Sequence, residues 1–251
     1  MFEGISIKSK REIEIMRESG KILRDAHLLI GEKIREGIST LEIDKIAYNF
    51  ITSNKAVPSF LGYNGFKGAA CVSINEELLH GIPRADKIIG LGDIIKIDLG
   101  VCLKGFHTDA ARTYAVGAVA EEYTELIERT KQSFFEGVKL ADSNHRLGDV
   151  SHAIGEYAES FGYGVVRAYI GHGVGARLHE PPDIPNYGQA GRGIRLREGM
   201  TLAIEPMVNI GSYEVEVLSD GWTVVTKDKK MCAHYENTIV ITDNGAEILT
   251  L

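Results

Sequence analysis

The sequence is poor in cysteine, proline and tryptophan, with 3, 6 and 1 among its 251 residues. Cys71, Cys102 and Cys232 are scattered, odd in number and form no CxxC pair. That excludes a zinc knuckle and a disulfide framework and points to a reducing compartment. No run approaches the roughly 18 apolar residues of a membrane span. Residues 1–10 lack the apolar stretch of a signal peptide. The expectation is a cytoplasmic protein without membrane association. A Walker lysine, a GxGxxG run and an HExxH pair are all missing, which excludes a phosphate loop and a thermolysin-like zinc site. Basic charge is also short: the net charge is -7, so the overall field does not favour nucleic acid and no specific nucleic-acid sequence is expected. No Pro/Ser-rich linker divides the chain, which is read as one domain over residues 1–251.

What is present suffices for a core, since hydrophobic residues make up 44% and charged residues 25%. Helical spacing runs over residues 9–32, and Ser39-Thr40-Leu41-Glu42 reads as the capped start of a second helix. Residues 71–74 and 94–99 read as strands. Residues 107–116 form the hairpin partner of the latter, with Gly100 and Gly105 bracketing the turn. Helical periodicity returns over 121–140 and 147–161, followed by a strand at 165–170 and a hairpin-rich stretch at 200–251.

This order is a repeat. Gly92 to Asp98 aligns with Gly199 to Glu205, each placing a carboxylate six residues after a glycine at the end of an apolar strand. His107-Thr108-Asp109 aligns with His234-Tyr235-Glu236, and His80-Gly81-Ile82-Pro83 with His179-Glu180-Pro181-Pro182. Three correspondences in one order suggest duplicated half-domains, roughly 10–118 and 119–251, with a site on the pseudo-twofold axis.

Taken singly, an aspartate at a strand end is a turn or cap residue, and a histidine in a glycine-rich stretch is incidental. The information lies in the set. Alternation places Asp98 on the face of its strand opposite Ile95, Ile97 and Leu99. Buried carboxylates side by side must protonate, find basic partners or bind cations. Asp98, Asp109, Glu205 and Glu236 carry four charges that two divalent ions would offset, and His172 supplies one nitrogen. Such a donor set suits manganese, ferrous iron or cobalt, with zinc possible. Paired ions about 3.5–4 Å apart activate water and polarise a substrate oxygen.

The order Asp98, Asp109, His172, Glu205, Glu236 resembles the ligands of the pita-bread metallopeptidases, and within them the type I methionine aminopeptidases. Ser73-Ile74-Asn75-Glu76 leading to His80-Gly81-Ile82-Pro83, Gly171-His172-Gly173-Val174-Gly175 and Ala203-Ile204-Glu205-Pro206 carry the match, which covers nearly the whole chain. The resemblance implies an α+β pita-bread fold, a curved and largely antiparallel sheet covered by helices. It implies removal of an N-terminal methionine from nascent proteins and peptides whose second residue is small. Asp98 would be bidentate, Asp109 and Glu236 would bridge the ions, and His172 and Glu205 would complete the second ion's sphere. His80 would contact the scissile amide, and His179 the carbonyl oxygen as it becomes an oxyanion. Glu205 would carry a proton from the attacking water to the leaving amine. Phe60, Tyr63, Phe66, Cys71, Leu178 and Trp222 would wall the methionine pocket, whose apolar and soft surface suits a thioether.

Two other readings compete. Prolidases and Xaa-Pro aminopeptidases share the ligand set but usually carry a large extra N-terminal domain. A binding module of the same fold would have lost ligands, whereas all five stand here. The expected partners are nascent polypeptide N-termini. Lys227, Lys229 and Lys230, just after Trp222, form a candidate basic rim for the ribosome, and a monomer is expected.

Overall fold

Two serines start the first pair of helices. Ser9 and Ser39 each accept a hydrogen bond from the backbone three residues on, at Glu12 and Glu42, whose side chains reach back in reciprocal capping boxes. The computed structural model describes residues 4–251, and in it these caps open α1 (Lys10–Lys33) and α2 (Thr40–Ser53). Two further helices follow, α3 (Glu121–Val138) and α4 (Leu147–Glu159). None of the helices among the described residues is long and apolar enough to cross a membrane.

Both helix pairs lie over antiparallel sheets. In the first sheet, strand Ile94–Leu103 is flanked by Val57–Pro58 and Ala70–Ile74 and pairs along its full length with Phe106–Ala115. The second sheet runs in the order Gly245–Ile248, Asn237–Thr242, Thr201–Ile204, Gly171–Gly173, Glu180–Ile184. Leu23, Ala26 and Ile30 of α1 and Ile43, Ala47 and Ile51 of α2 bury against Ile95, Ile97 and Leu99. Phe134 of α3 and Val150 and Ile154 of α4 bury against Leu202, Ile204, Ile239 and Ile241. Met16 near the start of α1 reaches Ala203, Val240 and Leu249 instead, so one helix spans both cores.

The sheets meet through polar contacts rather than a shared strand. The Asp109 amide donates to the Thr238 hydroxyl at 2.8 Å, and that hydroxyl donates back to the Asp109 carbonyl at 2.9 Å. Glu236 and Ala111 exchange backbone hydrogen bonds two residues further along. The architecture is the expected α+β class of antiparallel sheets covered by helices.

Two local expectations need correction. Gly100 lies inside a strand, opposite Asp109, and not at the turn; a Cβ there would come within 2.8 Å of the Phe60 ring and 2.7 Å of Ser59. The glycine serves close packing, which one-dimensional punctuation cannot distinguish from a turn. The strand expected at 165–170 is confined to Gly164–Val165. A separate short strand, Gly171–Gly173, pairs on both edges, and a Cβ at Gly173 would lie 2.3 Å from the Pro181 carbonyl oxygen.

Candidate active site

The register of the first hairpin brings two carboxylates to one face. Asp98 stands opposite Ala111, and Gly100 opposite Asp109, so both acids sit diagonally on the side away from Ile97 and Leu99. The sheet-to-sheet contact adds Glu236, placed by its backbone bonds to Ala111. Glu205 follows directly on strand Thr201–Ile204, and its carbonyl accepts from the Asn186 amide at 3.0 Å. His172 faces Ala203 across the adjoining ladder.

These five side chains converge. Asp109, His172 and Glu236 present ligand atoms that all lie within 4.8 Å of one another. His172 Nε2 is 3.7 Å from Glu205 Oε1 and 3.9 Å from Asp109 Oδ2. With Asp98 they floor a cavity of about 370 Å³. One oxygen each of Asp98, Asp109 and Glu236 is buried without a hydrogen-bond partner among the described residues, although buried acceptors are ordinarily satisfied.

The electrostatics are those of carboxylates short of positive charge. Burial raises the Asp98 acid to about 7 and Glu205 to about 8. Burial, then the neighbouring carboxylates, lifts Asp109 and Glu236 well above the usual range. His172 does not supply the missing charge, because burial pushes its imidazolium down to about 3. Its Nδ1 lies 2.9 Å from the Gly173 carbonyl, so that nitrogen carries the proton and Nε2 turns a lone pair to the acids. This is the tautomer of a metal-ligating histidine. Unpartnered anionic oxygens around a neutral imidazole fit a divalent cation, and the oxygen-rich set suits a hard or borderline one.

Above the acids the wall is apolar. Phe60, Phe66, Cys71 and Leu178 form one buried cluster with Trp222 packed against it, and the Phe66 and Trp222 rings meet at 5.1 Å. Asp220 accepts from the Trp222 amide at 2.9 Å and so anchors the indole's backbone. Tyr63 stands at the rim, 37% exposed, with its hydroxyl 2.8 Å from Nδ1 of His179. The His179 ring lies 4.1 Å from that of His172. His80 adopts a left-handed φ of 57°, uncommon for a non-glycine residue. Its ring makes edge contacts with Tyr169 and Trp222, and burial lowers its imidazolium to about 4.

All of the expected site residues thus border one cavity. Sequence reasoning missed Asn64 and Leu79, which also line it, and His234 beneath it. Asn64 sits between Tyr63 and Phe66 in a non-helical turn (φ 48°), exposed at the edge of the cavity. The lysine rim is weaker than its sequence suggests: Lys227 pairs with Glu214 and Lys229 with Glu216, which offsets the charge of two of the three.

A floor of convergent acids and one histidine under an apolar pocket, on helix-covered antiparallel sheets, fits a divalent-cation site open to an apolar group. A model of metallopeptidase family M24 matches residues 14–243, and the chain belongs to that family. It is 52% identical over 247 residues to a methionine aminopeptidase of Clostridium acetobutylicum, covering 98% of this chain and 99% of that one. It is likewise 52% identical over 246 residues to methionine aminopeptidase 1 of Bacillus subtilis, covering 98% and 99%. Its fold superposes on the crystal structure of a Thermotoga maritima methionine aminopeptidase with a TM-score of 0.97 at 47% identity, covering 98% and 99%. A Pyrococcus furiosus prolidase shares the fold at 28% identity and a TM-score of 0.77, but the match spans only 65% of that longer chain.

Proposed function

We propose that this protein removes N-terminal methionine from polypeptides with a small second residue, using two divalent ions held by Asp98, Asp109, His172, Glu205 and Glu236. The convergence of these five side chains beneath the Phe60, Phe66, Cys71, Leu178 and Trp222 pocket carries the reading. Divalent ions bound there would supply a water that loses its proton near neutral pH and a Lewis acid for the substrate carbonyl. In this reading the pocket takes the methionine side chain, whose flexible thioether suits mixed aromatic, aliphatic and thiol walls. Glu205 takes the proton from the attacking water and delivers it to the leaving amine. His179 donates from Nε2 to the developing oxyanion, and in that tautomer its Nδ1 accepts from the Tyr63 hydroxyl 2.8 Å away. His80, held by Tyr169 and Trp222, faces the scissile amide. The substrates are nascent N-termini; the paired lysines near Trp222 lend little support to ribosome docking.

The prolidase-like alternative is separated by assaying Met-Ala-Ser and Xaa-Pro peptides side by side, metal-free and with manganese, ferrous iron, cobalt or zinc. The expected result is metal-dependent release of methionine with Xaa-Pro peptides untouched. Preferential cleavage of Xaa-Pro bonds would overturn the proposal.

A further inference from the structure

We infer that His234 is a positioning residue that holds Glu205 as a single-oxygen ligand and thereby sets metal affinity; this rests on the metal site proposed above. His234 ends strand Cys232–His234 and is 1% exposed. Its backbone is pinned on both sides by Thr113, whose hydroxyl accepts from the His234 amide at 3.0 Å and donates to its carbonyl at 2.9 Å. The ring, by contrast, has neither nitrogen hydrogen-bonded among the described residues. A neutral imidazole carries one donor and one acceptor, and a buried ring that uses neither is rare.

The ring is aimed at the acids. His234 Nε2 lies 3.5 Å from Glu205 Oε2, while Glu205 Oε1 lies 3.7 Å from His172 Nε2. The Glu205 carboxylate therefore sits between two imidazoles, one at each oxygen. A hydrogen bond donated by His234 Nε2 across this 3.5 Å approach would occupy Oε2 and leave Oε1 for an ion. Such outer partners orient a ligand and fix how many of its atoms bind. The corresponding residue of the first half, His107, has a partner of its own: its Nδ1 lies 2.9 Å from the Ser59 hydroxyl. The aligned triplets therefore place one histidine under the acids and one away from them.

The test compares the wild type with His234→Leu, His234→Asn and His234→Gln. Manganese affinity of the metal-free protein is measured by calorimetry and the cobalt(II) visible spectrum of the loaded protein by absorption, with kcat and KM for Met-Ala-Ser alongside. Leucine cannot donate, and the asparagine amide is too short to reach. Both are expected to weaken manganese binding about 10–100-fold and to dim the cobalt bands, as Glu205 turns bidentate and coordination number rises. Glutamine, which can reach and donate, is expected to stay near wild type in affinity and spectrum. Should the leucine variant fail to fold, the Asn-against-Gln contrast decides. Unchanged affinity and spectrum in the asparagine variant would overturn the inference. So would loss of a whole bound ion in all variants including glutamine, since that marks His234 as a direct ligand. A wild type that binds no metal would instead sink the metal-site proposal itself, leaving the two failures distinct.

Discussion

Residues in the site separate by what they touch. Asp109 and Glu236 offer buried oxygens to the common centre, whereas His80 and His179 border the cavity and are assigned to the substrate. Asp109→Asn or Glu236→Gln is therefore expected to empty the site, read as metal per chain by plasma mass spectrometry. His179→Ala is expected to keep its metal and lose about 10²–10³ in kcat, the usual effect of removing one oxyanion donor. Metal loss in His179→Ala would reverse the assignment. The same acids also govern the metal-free protein's pH response. Above pH 7.5 histidines are neutral in the unfolded chain as well as in the buried site, where His172 titrates near 3 and His80 near 4. Over that range Asp98, at about 7, and Glu205, at about 8, still hold protons that an unfolded chain with ordinary carboxylates has released. The folded state binds more protons, so its stability falls as pH rises through that window. Calorimetry of chelated protein is expected to give a lower Tm at pH 8.5 than at pH 7.5, and a flat or rising Tm would contradict this.

At the scale of elements, the site depends on a segment remote from it in sequence. Lys8 donates to Glu180 at 2.7 Å with both side chains at most 5% exposed, and Glu180 Oε1 accepts from the Arg177 amide at 2.9 Å. This pair ties the segment before α1 to the loop carrying Leu178 and His179. Glu180→Gln leaves the ammonium buried without its counter-charge and is expected to cost about 3–5 kcal/mol in denaturant unfolding. A Lys8→Met, Glu180→Leu double variant should recover much of that loss, which would not happen if the glutamate acted only through its Arg177 contact. The elements themselves were largely legible in the chain. Capped amphipathic helices and the alternation of Ile95, Ile97 and Leu99 announce themselves locally. Gly92 and Gly199, ahead of Asp98 and Glu205, both take a left-handed φ, 86° and 83°. Gly100 and the glycines beside His172 were harder to read, because a glycine demanded by a ring or carbonyl across the sheet carries the same letter as one demanded by a turn. The Lys8–Glu180 pair and the role of His234 were illegible for a related reason: each depends on contacts between segments far apart in the chain.

For the whole molecule, the cations are expected to be structural as well as chemical. The acids that need them lie at the junction of the two sheets, where Asp109 meets Thr238 and Glu236 meets Ala111. A ligand bound only by the folded state stabilises it by mass action. Chelation should therefore lower the Tm of the entire chain in one transition, with no partial melting of either half; two separated transitions would show that the sheets are energetically independent. The ion positions bear most directly on the central claim. Crystals grown with manganese and measured near its absorption edge should give two anomalous peaks among Asp98, Asp109, His172, Glu205 and Glu236. Peaks elsewhere, or none at those five side chains in active protein, would contradict the account.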